Sequence, residues 1–547
     1  MDIIKKARKP VKAKGQHRRT SSLNLLVGAS GTLARPGLGA RTVSASSVHS
    51  DKTVSGTASG VATPSTLRRI FGAGVDAQEL SSALRTLKKK LTTNDSKQTK
   101  YIKAKAELAH RRNLVLLVVY AFMAYGAPSH RLEEYTMQLF KALEMDGRVN
   151  YSVGCMDICF VNPIDPSDPM TRTAYTTMVK AQGLDVGACE AAFRVYKGVV
   201  TGDLTVHEAT EKLTTLIEAP CYYKSLWLVP LYGCASALAC TWAFGGYWLD
   251  MPVAFLLGTI VGVLQIIVAV NNPLYANVLE VTACLITSFG SRAFASIGGG
   301  GAQKYFCFGA LAESSIAMIL PGFMVLTGSL ELQSKSITAG STRLFYAIMY
   351  SLLLGYGMSV GSQLWALADS DAPTSTTCPR SIDTRWKILL VPLYLVVQGL
   401  IIRARPHQLA GQVLVGSAGV AVNYFVSSKA TTQVADTASA FVVGILGNLW
   451  ARSQHAFAYA TVVASIMALV PGGLAAQGGL VAGITSPLIY SSSNGTTAQT
   501  LWEENVYRSF SVGGQMIQVA LGLAVGVLLS ALVVYPFGKK NNALCSL

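Results

Sequence analysis

DMPVAFLLGTIVGVLQIIVAV, residues 250–270, carries one charge at its first position and then twenty residues without another. At 1.5 Å per residue such a helix is about 30 Å long, the thickness of a bilayer's hydrocarbon core. Stretches of the same texture recur from residue 225 onward. They predict spans at about 226–246, 250–270, 274–295, 304–327, 341–364, 387–403, 408–427, 435–451, 456–479 and 512–536. The expected fold is an all-α polytopic membrane protein with ten transmembrane helices. Composition agrees. Of 547 residues, 51% are hydrophobic and 14% charged, against about 25% charged in soluble chains. That balance, with 50 glycines, excludes a cytosolic enzyme of two or three ordinary domains and makes the lipid bilayer the main partner.

A connector at 365–386 divides the spans into a first set at 225–364 and a second at 387–547, five in each. The two sets share landmarks. Leu228-Val229-Pro230-Leu231-Tyr232 opens the first and Val391-Pro392-Leu393-Tyr394 the second. Glu280 stands near the start of span three and Asp436 near the start of span eight. Leu320-Pro321-Gly322 interrupts span four, and Val470-Pro471-Gly472-Gly473 interrupts span nine. Their offsets, 162, 156 and 150 residues, keep their order. Five is odd, so the second set enters the membrane from the opposite side, an inverted repeat characteristic of secondary transporters.

The net charge of +17 lies wholly in residues 1–112, which hold 23 Lys and Arg against 6 Asp and Glu. Residues 1–74 form a Ser- and Gly-rich basic tail, expected to be disordered because it has too little apolar surface to offset chain entropy. Its longest apolar stretch, around Leu25 to Val27, is too short for a secretory signal, and residues 1–50 loosely resemble a mitochondrial presequence. Residues 75–112 read as a basic helical linker. No zinc-finger or RNP-type pattern accompanies the charge, so it points to anionic headgroups rather than nucleic acid. An even number of spans then puts both termini in the cytoplasm, in a plasma or vacuolar membrane. The loops themselves divide evenly. Lys335, Arg343, Arg403, Arg405, Arg452, Lys539 and Lys540 fall on one side; Arg292, Lys304, Arg380, Arg385, Lys387, Lys429 and Arg508 fall on the other. Asn494-Gly495-Thr496 is a glycosylation sequon on the outer side of this arrangement.

Residues 113–220 have the pattern of a small α+β cytosolic domain. A buried helix runs from Asn113 to Tyr125 and ends at Gly126, and a second runs from Ser129 to about Glu144. A strand is expected over Val149 to Val161, another around Tyr175 to Val179, then helices at about 186–199 and 204–218, the latter opening at Thr205. Ten scattered cysteines read as reduced thiols acting as small hydrophobes. Cys155 and Cys159 share a strand, about 13 Å apart, beyond disulfide reach.

Charged residues inside a span cost about 2.5–3.5 kcal/mol each, which singles out Glu280, Glu313 and Asp436. On a helix Glu280 shares a face with Cys284, Thr287 and Ser291, and Asp436 shares one with Ser439 and Gly447. These carboxylates suit proton coupling or a substrate ammonium group; a satisfied interhelical hydrogen bond is the plainer alternative. The Pro321-Gly322 and Pro471-Gly472 breaks free backbone groups that need partners in lipid, so a broken helix is expected to face a cavity. Matching breaks in two halves point to a substrate site. No Walker, HExxH or GxSxG pattern occurs, so neither a cofactor nor an enzyme activity is expected. His130, Arg131 and Glu133 are explained as well by capping and surface charge as by catalysis.

GAPSHRLEEY (126–135), GCMDICF (154–160), AFGGYWLDMP (243–252), NVLEVTA (277–283) and ILPGFMVLTGSLELQSKSITAGSTRLFYAI (319–348) closely resemble the threonine/serine exporter family, and within it the fungal pheromone-regulated membrane proteins. The resemblance is strong over 112–365 and looser over 387–536. It implies a cytosolic amino-terminal domain on ten spans and, for bacterial members, proton-driven export of threonine and serine. The alternatives are a membrane-anchored hydrolase-like enzyme acting through residues 113–220, or a non-transporting scaffold in mating or cell fusion.

Overall fold

The computed structural model describes residues 106–127, 129–161, 173–179, 183–298, 303–369, 371–373, 375–454, 457–469 and 517–535. The basic tail, most of the expected basic linker, Pro471, Gly472 and the sequon at 494–496 lie outside the described residues.

Helix α1 covers residues 106–124 without a break at 112/113, so the boundary expected there is not an element boundary. Leu114, Val115, Val118, Val119 and Phe122 recur at helical spacing and are all buried. They join α2 (Ser129–Ala142), α3 (Val186–Thr201) and α4 (Val206–Glu218) around a three-stranded antiparallel sheet. Thr205 caps α4 in a capping box with Glu208. The single strand expected over Val149 to Val161 is instead a hairpin of β1 (Asp146–Ser152) and β2 (Cys155–Val161), with Ser152 opposite Cys155. The tight turn at Val153-Gly154, where Gly154 has a φ of 83°, is too short to interrupt the alternation. Strand β3 (Thr173–Met178) pairs with β2, Ile158 opposite Tyr175. At Gly147 a Cβ would lie 2.5 Å from the Phe140 ring, so only glycine lets α2 lie this close to β1.

The remaining described elements are helices: α5 (Ser225–Trp242), α6 (Asp250–Asn271), α7 (Leu279–Ala295), α8 (Phe308–Ser315), α9 (Gly322–Gln333), α10 (Ile337–Ala368), α11 (Lys387–Ile401), α12 (Pro406–Ser427), α13 (Thr432–Gln454), α14 (Ala458–Met467) and α15 (Ile517–Val534). Among the described residues seven helices are long and apolar enough to cross a membrane: α5, α6, α10, α11 with the turn before it, α12, α13 and α15. Helix α7 packs along α10, and α13 packs along α15, with glycines at the crossings. A Cβ at Gly361 would sit 2.4 Å from the Leu285 carbonyl oxygen, and one at Gly526 2.4 Å from that of Thr437. Close backbone approach over small residues is the usual way helices associate in lipid.

One cysteine expectation is overturned. Cys155 and Cys159 are free, but Cys307 and Cys378 form a disulfide with Cα atoms 5.1 Å apart. The connector folds back over the start of α8, where Gln303 donates to the Ser375 carbonyl and the Asp250 carboxylate accepts the Cys307 amide at 2.9 Å. That closure brings together two thiols 71 residues apart in the chain.

The glycine crossing makes a measurable claim. Gly361→Leu should destabilise the protein by roughly 1–3 kcal/mol through overpacking, read as a lower melting midpoint in detergent. An unchanged midpoint would show that α7 and α10 do not approach this closely.

Candidate functional site

The interruption at Pro321 is the centre of the candidate site. Helix α8 ends at Ser315, residues 316–321 are non-helical, and α9 starts at Gly322. Proline has no N–H to donate, so the preceding turn cannot close in the ordinary way. Its backbone groups are met locally and by one neighbour. Ile319 donates to the Ile316 carbonyl at 2.9 Å, Pro321 accepts from the Val325 amide at 3.0 Å, and the Tyr350 hydroxyl donates to the Ile319 carbonyl at 3.0 Å.

Beside this segment is a cavity of about 50 Å³, room for a few water molecules. Its walls come from three parts of the chain: Ile319 to Pro321 and Tyr350 before the connector, Gln398 and Ile402 after it, and Leu184 from the turn leading into α3. Gln398 is buried and its Oε1 has no hydrogen-bond partner among the described residues. Leaving such an acceptor unpaired costs about 1–3 kcal/mol.

The three predicted carboxylates do not gather in one place. Glu280, in the first turn of α7, is buried and within electrostatic reach of Cys284 and of Tyr350, which lines the cavity; Glu280 itself is not part of the lining. Cys284, Thr287 and Ser291 are buried along the same helix, as its polar stripe requires. Glu313 is buried in α8 and reaches Cys240, which in turn faces Asp250, near the disulfide. Asp436, the fifth residue of α13, is buried and accepts from the Asn423 side-chain amide at 2.7 Å. Pro321 and Gly322 bound the cavity segment; Pro471 and Gly472 lie outside the described residues.

The sheet and its helices dock on one end of the bundle, at the turn between α11 and α12 and the start of α14. Phe193 stacks on Phe457 with ring centroids 4.5 Å apart, and the Tyr459 hydroxyl donates to the Gly126 carbonyl at 2.7 Å. The Val186 amide donates to the Ile402 carbonyl at 3.2 Å, beside Leu184. Asp185 lies 3.7 Å from the Arg403 guanidinium and accepts the Ala188 amide. Burial pushes its carboxyl up despite those two favourable partners. Glu190 meets Arg194 at 2.5 Å and His407 at 3.3 Å, and accepts from Gln408.

Three arginines counted above as loop charges are buried instead. Arg292 donates to the Ser362 carbonyl at 2.8 Å, and Arg403 faces Asp185. Arg343 lies 3.1 Å from the fully buried Glu331, 2.5 Å from the Tyr151 hydroxyl of β1 and 3.4 Å from Thr327. Sequence reasoning missed Glu331 because it falls just past the predicted end of span four. It missed Arg343 because a charge at a span's edge reads as a loop charge. Their spacing across the turn at 334–336 was the available signal. A π turn at Leu264–Val268, carrying the buried Gln265, also left no trace in the pattern.

Two family models match. One, described as "Putative threonine/serine exporter", covers residues 113–365, and the other, described as "Threonine/Serine exporter, ThrE", covers 387–533. The chain belongs to the threonine/serine exporter family. Relatives in this family include pheromone-regulated membrane protein 10 of Debaryomyces hansenii, 42% identical over 81% of this chain and 44% of that protein. The protein of the same name in Candida glabrata is 36% identical over 87% of this chain and 59% of its own length. An uncharacterized protein of Schizosaccharomyces pombe is 41% identical over 81% of this chain and 57% of its length. The chain thus spans about half the length of the curated relatives it matches. No solved structure matches it.

The Arg343–Glu331 pair tests how the two parts of the molecule are joined. Arg343→Met should cost about 3–5 kcal/mol by leaving a buried carboxylate unpaired, and the double change with Glu331→Leu should recover much of that. Unfolding in detergent reads both. A single change no worse than the double would show that the carboxylate is not held by Arg343.

Proposed function

We propose that the chain is a secondary transporter exporting a small hydroxy amino acid, threonine or serine, in exchange for protons. The observation that carries this reading is the interrupted helix at Pro321, set beside a cavity walled by both halves of the chain. Unwound backbone in a membrane protein is tolerated where it is buried in protein or lines a water-filled space, and transporters bind substrate at such breaks.

The reading takes the seven long helices, adds α7, the interrupted α8–α9 and the helix beginning at α14, and counts ten spans in an inverted five-plus-five arrangement. Parallels between the halves support it. Helix α14 ends at Met467, four residues before Pro471, much as α8 ends at Ser315 before Pro321. The glycine crossings of α7 with α10 and of α13 with α15 are alike. On this reading the sheet end faces the cytoplasm. The Cys307–Cys378 disulfide then lies on the outer side, where such bonds persist. The membrane would be the plasma or vacuolar membrane.

The roles follow from position. Glu280, within electrostatic reach of the cavity-lining Tyr350, would take the coupling proton or pair with the substrate's ammonium group; Glu313 and Asp436, nearer the opposite end, would serve the outward-facing state. With room for only a few waters and Leu184 across it, the cavity corresponds to a closed state whose opening requires the α3 turn to move.

Radiolabelled threonine flux in proteoliposomes with an imposed pH gradient tests this. Flux should rise with the gradient, and Glu280→Gln should lose that stimulation. Absence of threonine flux would overturn the transport reading. Full gradient stimulation in both Glu280→Gln and Glu313→Gln would overturn the coupling assignment alone.

A further inference from the structure

Among the described residues, Gln398 is a buried amide at the cavity whose side-chain oxygen, Oε1, has no hydrogen-bond partner. It stands on α11 six residues after Pro392, is 1% exposed and lines the cavity at the Pro321 break. The rest of the lining offers it little, being apolar except for Tyr350, whose hydroxyl is already given to the Ile319 carbonyl at 3.0 Å. Buried amide oxygens are rarely left in this condition unless a ligand or water completes them. The first half carries a counterpart at the same distance from its own proline. Ser236 lies six residues after Pro230, is 1% exposed, and its Oγ likewise has no partner among the described residues.

We infer that Gln398 is the residue that selects for a hydroxyl on the transported amino acid, its Oε1 accepting the hydrogen bond that the substrate's side-chain O–H donates. This rests on the cavity being the transport pathway. The division of labour follows from charge. A neutral amide is a poor partner for an ammonium group compared with the Glu280 carboxylate, which lies within electrostatic reach of the cavity-lining Tyr350, so the ammonium goes to Glu280 and the hydroxyl to Gln398. A site built to hydrogen-bond one group rejects the analogue lacking it, because that analogue leaves the buried acceptor unpaired. Apolar walls around Gln398 sharpen the effect, since they hold nothing to replace the lost bond.

The test compares threonine with 2-aminobutyrate, which has the same carbon skeleton without the hydroxyl, as competitors of labelled threonine uptake in proteoliposomes. In the wild-type chain threonine should compete at least about tenfold better. In Gln398→Leu the two should become nearly equal competitors, through a weaker apparent affinity for threonine with little change in that for 2-aminobutyrate. Gln398→Asn keeps a neutral amide acceptor on the same helix face and should retain more of the preference than Gln398→Leu. If Gln398→Leu does not reach the membrane, Gln398→Met, closer in shape, makes the same comparison. A preference that survives the loss of the amide would overturn the inference and show that Gln398 holds only water or packing. A wild-type chain that carries threonine but does not discriminate would overturn it too. If the wild-type chain carries no threonine, the transport reading itself fails and this inference falls with it.

Discussion

A peptide group in hydrocarbon has no water to fall back on, so every N–H and C=O that leaves the helical ladder must be met inside the protein. On the proposed ten-span reading, that constraint applies to the region around Pro321. The chain abandons the helix for six residues, and what surrounds them supplies the missing partners: the Tyr350 hydroxyl for one carbonyl, short-range turns for others. A break of this kind cannot face lipid. Residues of α10, α11 and the turn before α3 line the cavity beside it.

The sheet unit docks beside the same cavity. Its turn at Leu184 completes the cavity wall, and the contacts holding it there are directional: the Phe193–Phe457 stack, Asp185 with Arg403, and Arg343 reaching from α10 to both Glu331 and Tyr151. Buried charge pairs add little net stability, yet each is costly to break, so they fix position more than they add cohesion.

Much of this was legible in the sequence, and the omissions have physical reasons. Apolar runs of about twenty residues marked the long helices because lipid leaves few other ways to place them. Pro321-Gly322 marked the break because proline cannot donate to the ladder. The hairpin at Val153-Gly154 was hidden because a two-residue turn preserves the alternation on either side of it. The disulfide was hidden because spacing alone does not pair cysteines. Arg343, Glu331 and Gln398 were hidden for a common reason: each matters through a partner, or the lack of one, on an element distant in the chain, and a one-dimensional pattern does not carry that information.

The central claim is that the chain around Pro321 borders an aqueous pathway opening toward the sheet. Labelling of Leu320→Cys with a membrane-impermeant thiol reagent tests it most directly, against the background of the native thiols and with Leu352→Cys, on the 47%-exposed flank of α10, for comparison. The account predicts modification at position 320 from the sheet side of the membrane, slowed by threonine, with position 352 unreactive. Equal inertness at both positions would contradict it.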